Sequence, residues 1–343
     1  MIRIPKKMFL YNFPDEILLA ICSHLTSHEL SQLSLSCQAL SRIACEVLSR
    51  AFKLDYACYD DRKLPRVNEI VNKLKRRSIG YLSDITIAHL TWPVSSQLCR
   101  RMHHILSMLP NLQTLHLKEQ SVCYLGYFIR DGMLDANLYD VLLTSPSATT
   151  IRSLTISDSR VSSHDILKLV SLAQLEHLSI ENFNYPMGIE PGPSAPHSQL
   201  QSLSISTARP TGRHIDIILA RLPNLKRFVW KFDFSSIPTQ EQFMQVCSPA
   251  AISATLEPLK PTLEELRIEM VHTEFRNDGT ELNLAGFEKL RRLRFHEDLL
   301  FSSCHKIGFG DFCHGLEPQL QDRLPRNLET LEVSGYWLTF ASQ

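Results

Sequence analysis

The stretch Leu175-Glu176-His177-Leu178-Ser179-Ile180 is followed 25 residues later by Leu200-Gln201-Ser202-Leu203-Ser204-Ile205, and the two share one pattern. In each, an apolar residue is followed three and five positions later by two more apolar residues. This phrase occurs nine times in the 343 residues, at intervals of 24 to 39 residues. The nine copies begin at Leu82, Leu112, Ile151, Leu175, Leu200, Leu225, Leu263, Leu290 and Leu328.

A repeat of this kind predicts a solenoid, because one unit is too small to bury its own apolar face and stacked units form a continuous core. The shorter intervals lie within the roughly 20 to 29 residue period of leucine-rich repeats. We therefore predict an α/β fold, a leucine-rich repeat solenoid over residues 79 to 343, with parallel strands on the concave side and helices and loops on the convex side. Such an architecture presents surface, so it favours binding over catalysis. Apolar stripes with helical spacing, which predict three of the convex helices, begin at Leu98, Ile166 and Ile215.

The composition excludes several classes of protein. Apolar residues make up 44% of the chain and charged residues 21%, as in ordinary globular proteins. Lys plus Arg and Asp plus Glu are equal at 36 each, so no global field favours nucleic acid or a membrane surface. The nine cysteines never have C-x-x-C spacing, which indicates reduced thiols. Since no apolar run has the length of a signal peptide or a membrane span, we predict an intracellular protein.

Motifs of catalysis and nucleotide binding are missing from the sequence. It contains no G-x-S-x-G, H-E-x-x-H, G-x-x-x-x-G-K-[ST] or G-x-G-x-x-G. The grouping most similar to a metal site has a spacing that matches no compact zinc site. We therefore predict no catalytic residue, no metal and no cofactor. The residues of that grouping are His296, Cys304, His305, Cys313 and His314.

Residues 9 to 52 do not follow the repeat and are predicted to form three short helices. Pro14-Asp15-Glu16 opens the first, since proline is tolerated in a first turn and carboxylates there meet the positive end of the helix dipole. Thr26 and Glu29 have the spacing of a capping box that starts the second. Three short helices make a marginal core, so part of their apolar surface is expected to contact a partner or the solenoid. The third helix is marked by Leu40, Ile43, Ala44, Val47 and Leu48.

The run Phe13-Pro14-Asp15-Glu16-Ile17-Leu18 resembles the opening of an F-box, and the leucines and the cysteine expected of that motif follow in order. They are Ile21, Leu25, Leu30, Leu33, Leu35, Cys37, Leu40 and Ile43-Ala44. In that family the motif binds the Skp-type adaptor of a cullin-RING ubiquitin ligase, and the rest of the chain captures the substrate. The pairing of an F-box with irregular leucine-rich repeats is similar to that of fungal F-box proteins.

The resemblance implies a non-catalytic substrate-recognition subunit of an SCF-type ubiquitin ligase. Its partners would be the Skp-type adaptor, through it a cullin, and a target protein, with no nucleic acid and no membrane. The implied adaptor-binding residues are Phe13, Pro14, Ile17, Leu18, Leu33, Leu35 and Leu40.

Two alternatives remain open at this point. Residues 9 to 52 could be a helical cap on the open end of the solenoid, as terminal repeats require. The chain would then be a leucine-rich repeat scaffold for protein interactions, without a ligase role.

Residues 53 to 78 are predicted to be a charged helical connector, whose basic run is typical of a solvated helix face or of a nuclear-targeting patch. Cytoplasmic and nuclear locations both fit.

The residues between the apolar positions of each phrase are predicted to face the concave side, because side chains alternate along a strand. Units three to five then present a floor of mostly small, uncharged side chains, and the next three units present charges. The outer columns of charges alternate in sign and are expected to neutralise themselves. In the middle column Arg267 lies beside Arg294 with no carboxylate between them. We predict that these two, with Arg227 and Arg292, bind a carboxylate or phosphate of the target.

Overall fold

The computed structural model describes residues 13–22, 24–25, 27–54, 64–76, 82–92, 96–119, 142–157, 163–183, 199–207, 212–233, 248–271, 280, 282–296, 299 and 322–334. Within these residues the chain is an α/β structure around one ten-stranded sheet. All neighbouring strands are parallel, and the sheet is open at both ends. Strands follow one another in the sheet in the order of the sequence, so the chain advances by one strand per unit.

The ten strands are short, and each of β2 to β10 follows the start of a sequence unit by a few residues. They are β1 Ala51–Leu54, β2 Ile87–Trp92, β3 Thr114–Glu119, β4 Ser153–Ser157, β5 His177–Phe183, β6 Ser202–Thr207, β7 Arg227–Asp233, β8 Glu265–Val271, β9 Arg292–His296 and β10 Thr330–Ser334.

Three helices precede β1, and five more lie between strands in the described part of the chain. They are α1 Asp15–Cys22, α2 Ser27–Ser34, α3 Gln38–Arg50, α4 Leu64–Arg76, α5 Ser96–Ser107, α6 Ser163–Leu169, α7 Gly212–Leu219 and α8 Pro249–Leu256. Short 3-10 turns occupy Pro146–Thr149 and Glu257–Leu259. The helices predicted to begin near Leu98, Ile166 and Ile215 are confirmed as α5, α6 and α7. No helix of the described residues combines the length and the apolar character that crossing a membrane requires.

One face of the sheet and the helices that follow the strands share a continuous apolar core. Each strand from β3 to β9 contributes at least two apolar side chains to this core, as Leu178 and Ile180 do on β5. Met102 and Ile105 of α5 and Ile218 of α7 are fully buried in the same cluster. The predicted connector also takes part, because α4 buries one apolar face there. We call the opposite face of the sheet, which carries the residues between the apolar positions, the open face.

Backbone hydrogen bonds repeat from unit to unit in the same geometry. The carbonyl of Thr86, one residue before β2, accepts the N–H groups of Gln113 and Thr114 at 2.8 and 2.9 Å. Asparagine side chains add a link between units, since Asn111 Nδ2 donates to the carbonyl of Ser83 at 3.0 Å. This regularity shows that stacking of neighbouring units, rather than any local turn, orders the segments before the strands. The same arrangement, in which one carbonyl accepts two consecutive N–H groups, recurs at Gln113, Arg152, Glu176, Gln201, Lys226, Glu264 and Arg291.

The predicted start of the first copy of the repeat phrase is wrong by three residues. The sequence pattern begins this copy at Leu82, but Ala88 of β2 pairs with Leu115 of β3. The copy therefore begins at Ile85, and Ala88 and Leu90 are its buried strand positions. An alanine at a position that the eight later units fill with leucine or phenylalanine made the later start difficult to recognise.

The sequence pattern also missed β1, which precedes the first predicted repeat. This strand spans the predicted boundary between residues 52 and 53, and α3 runs directly into it. Its Phe52 and Leu54 pair with Ala88 and Leu90 and pack against the core of the sheet. The phrase is incomplete here because its first position is occupied by the polar Ser49.

Candidate functional site

The first helix begins where proline and acidic residues predict it. α1 starts at Asp15, and the carbonyl of Pro14 accepts the N–H groups of Ile17 and Leu18, both at 3.1 Å. Asp15 also forms an ion pair with Arg42 of α3, which ties the two helices together on their exposed side. α2 begins at Ser27, one residue after Thr26 of the predicted capping box, and Thr26 itself lies outside the described residues.

The three N-terminal helices have a small core of their own. It is separate from the core of the sheet. Burial raises the pKa of the Cys22 thiol within it, so this cysteine stays protonated and acts as an apolar residue. Two of the predicted adaptor-binding residues, Leu18 and Leu40, belong to this internal core. Its buried members are Leu18, Cys22, Leu30, Leu40, Ile43 and Ala44.

Four large apolar side chains of the N-terminal helices are exposed to solvent. Phe13, Ile17 and Ile21 are 38%, 47% and 39% exposed, and Leu35 is 81% exposed. Phe13, Ile17 and Ile21 follow one another at intervals of four residues. This spacing places Ile17 and Ile21 on one face of α1. Among the described residues, one further large apolar side chain, Leu331, is exposed. We call the four residues Phe13, Ile17, Ile21 and Leu35 the N-terminal apolar surface.

The predicted adaptor-binding residues thus divide into two groups. Phe13, Pro14, Ile17 and Leu35 are exposed, and Leu33 is partly buried against the helical core. Leu18 and Leu40 are buried and support the helices from within. Ile21 was not among the predicted residues, although its position four residues after Ile17 was a usable signal.

On the open face, strands β4 to β6 form a floor of hydroxyl groups. Ser153 pairs with His177, and His177 pairs with Ser202, so one column crosses the three strands. The next column consists of Thr155, Ser179 and Ser204, and its side chains are half-buried. This hydroxyl floor agrees with the nearly uncharged surface predicted for units three to five, in which Glu181 is the one charged side chain.

Strands β7 to β9 carry a network of ion pairs centred on Glu265. Oε1 of Glu265 lies 2.8 Å from Nε of Arg267 and 3.3 Å from Nε of Arg227. Its other oxygen, Oε2, lies 3.7 Å from an amino group of Arg292. Lys231 is 3.2 Å from Glu269 on the next strand. The prediction that the outer columns neutralise themselves is therefore confirmed for these pairs.

The prediction that Arg267 and Arg294 have no carboxylate in their column is wrong for Arg294, because Glu332 of β10 pairs with it. Arg267 bonds to Glu265, two positions earlier on its own strand. Arg294 lies 3.7 Å from Glu332 of β10 and 4.0 Å from Glu269 of β8. The prediction did not extend the column to β10, where Glu332 lies directly opposite Arg294. It also left out contacts of long side chains with residues on the same strand and with diagonal neighbours. The four predicted arginines are nevertheless brought together by the structure.

The network contains more cations than carboxylates. Its ion pairs join five basic side chains to three acidic ones, which leaves a formal surplus of two positive charges. A cavity of about 330 Å³ lies between the network and the hydroxyl floor, where Arg227, Lys231 and Arg267 meet the serine and threonine side chains. The basic members are Arg227, Lys231, Arg267, Arg292 and Arg294, and the acidic members are Glu265, Glu269 and Glu332.

Two histidines stack at the other end of the open face. The rings of His89 and His116 are parallel within 5°, with centroids 4.3 Å apart. Burial lowers the pKa of both imidazoles, and the pKa of His89 is lowered further by His116 and by Lys53. Glu181 opposes the effect at His116. Both rings are therefore mainly neutral at pH 7, which permits close stacking.

This pair is expected to make the stability of the protein depend on pH. Because the pKa values are lower in the folded state, the unfolded state binds more protons below the ordinary histidine pKa of about 6.5. The free energy of unfolding should therefore fall as the pH drops from 7.5 to 5.5. In the double variant His89→Gln and His116→Gln, the difference in melting temperature between these two pH values should be smaller than in the parent protein.

Thermal melting of both proteins at the two pH values measures the effect. His104, whose pKa is also lowered, chiefly by burial and further by Lys75, Arg101 and His103, stays in both proteins and cancels in the comparison. An identical pH dependence in the two proteins would contradict the role of the stacked pair.

The described residues contain no group of three or more His, Cys, Asp or Glu side chains that could hold a metal ion. Of the metal-like grouping considered in the sequence, His296 is buried on β9, and Cys304, His305, Cys313 and His314 lie outside the described residues.

In comparisons with known proteins, no family model matches the chain, and no curated protein is similar enough in sequence to be reported as a relative. A functional interpretation therefore depends on the residues themselves.

Proposed function

We propose that this chain is the substrate-recognition subunit of an SCF-type ubiquitin ligase. In this proposal residues 9 to 52 are an F-box that binds a Skp-type adaptor, and residues 79 to 343 are a leucine-rich repeat domain that captures the target protein. The observation that carries the proposal is the N-terminal apolar surface, because it lies on the helices whose sequence resembles an F-box. Catalysis would belong to the partner subunits.

Exposure of this surface favours adaptor binding over a simple cap. A helical cap protects the end of a repeat array by burying its apolar side chains against the array. Here Ile17, Ile21 and Leu35 remain exposed, and the helical core stays separate from the core of the sheet. Ile17 and Ile21 lie on one face of α1, and exposed apolar side chains that share a face are typical of a protein interaction site.

The sheet supports the assignment as a repeat domain. Each unit contributes one strand, neighbouring units pair in parallel, and the same backbone hydrogen bonds recur between them. One face of such an array is filled by the helices, and the open face is left for a ligand. We assign the target-binding role to the open face, where the cavity and the charged network lie.

The two proposed binding sites are far apart along the sheet. α3 contacts β1, whereas the charged network begins at β7. Six strand spacings of about 4.8 Å separate them, which is about 29 Å. Substitutions at one site should therefore leave the other unchanged, since sites more than about 10 Å apart are usually independent.

The runner-up is a scaffold without a ligase role, whose N-terminal helices only close the array. One observation favours it: α3 continues into β1 without a break, and the N–H of Thr86 donates to the carbonyl of Arg50 at 3.0 Å. The helices are thus joined to the first unit. Adaptor binding distinguishes the two functions.

Ile17→Glu combined with Leu35→Glu is expected to abolish binding of a Skp-type adaptor. Loss of one buried anchor at an interface typically costs about 2 kcal/mol or more, which is about thirtyfold in affinity. Both side chains are exposed in the free chain, so their replacement should leave the helices folded. Co-purification of the adaptor with the full chain, together with circular dichroism of the variant, measures both effects.

A matched control keeps the two added charges and moves them to exposed polar positions of α2 and α3. Gln32→Glu with Gln38→Glu should retain the adaptor as the parent chain does, since both side chains are exposed and polar. If the Ile17 and Leu35 variant retained the adaptor equally well, the ligase proposal would fail and the scaffold would be favoured.

A further inference from the structure

In the charged network, basic side chains are more exposed to solvent than two of the carboxylates with which they pair. The side chains of Glu265 and Glu269 are 12% and 26% exposed, whereas those of Arg227 and Lys231 are 46% and 43% exposed. A molecule that approaches this part of the open face therefore meets guanidinium and ammonium groups first. The less exposed carboxylates pair with these basic groups and hold them in position. Glu265 alone contacts three arginines.

The cavity beside this network offers donors of two kinds. Arg227, Lys231 and Arg267 line one side, and the hydroxyl groups of Ser179, Ser202 and Ser204 belong to the lining as well. Glu269 is the one carboxylate among the described residues of the lining, so its three basic side chains and one acidic side chain leave the same formal surplus of two positive charges. Arginine presents paired N–H donors that match the oxygens of a phosphate, and hydroxyl groups can donate to the same oxygens. A volume of about 330 Å³ is sufficient for one phosphorylated side chain.

The formal surplus of two positive charges distinguishes between anions. A phosphorylated serine or threonine carries a charge of about −1.5 to −2 at pH 7, which nearly neutralises the surplus. A single aspartate or glutamate would neutralise about half of it. The charge balance therefore favours a phosphate group over a carboxylate.

The surroundings favour a peptide over a nucleic acid. Single-stranded nucleic acids bind along a continuous basic groove, usually with aromatic side chains on which bases stack. The nine open-face positions of β4 to β6 carry no Lys, Arg, Phe, Tyr or Trp. Glu181 is the one charged side chain among these nine positions. A single cationic cluster beside such a floor is suited to one phosphorylated residue whose flanking peptide lies across the hydroxyl groups.

We propose that the cavity between the hydroxyl floor and Arg227, Lys231 and Arg267 binds a phosphorylated serine or threonine of the captured protein. The inference deepens the proposed target-binding role and rests on it. Glu265 is a positioning residue in this site, because it holds Arg227, Arg267 and Arg292 on one carboxylate.

The test uses the full chain and three fluorescent peptide libraries of degenerate sequence, whose fixed central residue is phosphoserine, serine or glutamate. We expect the phosphoserine library to bind about tenfold or more tightly than the other two, as the loss of charge-assisted hydrogen bonds predicts. Its binding should weaken as salt increases, and inorganic phosphate should compete with it.

Arg227→Gln with Arg267→Gln should remove the preference for phosphoserine. Arg152→Gln with Arg291→Gln is the matched control, since these two exposed arginines pair with Glu176 and Glu329 outside the network. Thermal melting shows whether each variant is folded, and Lys231→Gln provides a milder change in the same cavity.

Equal binding of the phosphoserine and serine libraries by the parent chain would overturn the proposal, as would stronger competition by a single-stranded oligonucleotide than by phosphopeptide.

Adaptor co-purification with the same variants separates this inference from the proposed function. Retention of the adaptor without any preference for phosphoserine would refute the phosphate site alone. A preference for phosphoserine in a chain that does not bind the adaptor would refute the ligase role and leave a phosphopeptide-binding protein.

Discussion

A chain truncated after Lys289 should aggregate when it is expressed. The truncation removes β9 and β10, so the backbone groups of β8 that pair with β9 lose their partners. It also uncovers Leu266 and Ile268, which are fully buried in the intact sheet. An exposed strand edge with apolar side chains is a template for association with other chains, and repeat arrays need a protected end.

Size-exclusion chromatography and thermal melting of the truncated chain measure this effect. Truncation after Ser334 is the control, because it keeps all ten strands and should preserve the oligomeric state of the full chain and its cooperative transition. A monomeric fragment ending at Lys289 with a cooperative transition would show that β9 and β10 do not protect the array.

Trp230→Ala is expected to be the most destabilising single substitution that we consider. The indole is fully buried on β7, with ring centroids 5.8 Å from Phe228 and 4.5 Å from Phe232. Removal of a large aromatic side chain from a core typically costs about 3 to 5 kcal/mol, from lost burial and from the cavity that remains. Chemical denaturation monitored by circular dichroism measures the change in the free energy of unfolding.

Trp230→Phe is the matched comparison. The indole Nε1 has no hydrogen-bond partner within the described residues, so its burial already costs free energy. Phenylalanine removes this donor and keeps most of the apolar volume, so the loss of stability should be below about 1.5 kcal/mol. A loss as large as that of the alanine variant would mean that the indole N–H makes a stabilising interaction.

The nine phrases predicted most strands because their apolar spacing is a local property of each unit. Leu178 and Ile180, for example, are two positions apart and therefore lie on one face of a strand wherever the strand pairs. β1 was missed and β2 was placed three residues early for the same reason. Ser49 and Ala88 depart from the local pattern, and only pairing with the next strand makes their units recognisable.

The candidate sites were predictable in part. The residues of the open face followed from alternation along the strands, which brought Arg227, Arg267, Arg292 and Arg294 to one region. Their partners did not follow, because Glu265 reaches residues on both neighbouring strands and on its own. Such contacts depend on side-chain length and direction in three dimensions.

The amino-acid sequence by itself determined the repeated apolar phrase, the α/β architecture built from it and the residues that face away from the core. These properties depend on spacing along the chain, and spacing is visible without a structure. The tertiary structure decided which apolar residues of the N-terminal helices are exposed, since Ile17 and Leu18 are equally apolar neighbours and only Leu18 is buried. It also decided which charges meet, because ion pairs form between strands that are distant in sequence and lie side by side only in the folded sheet.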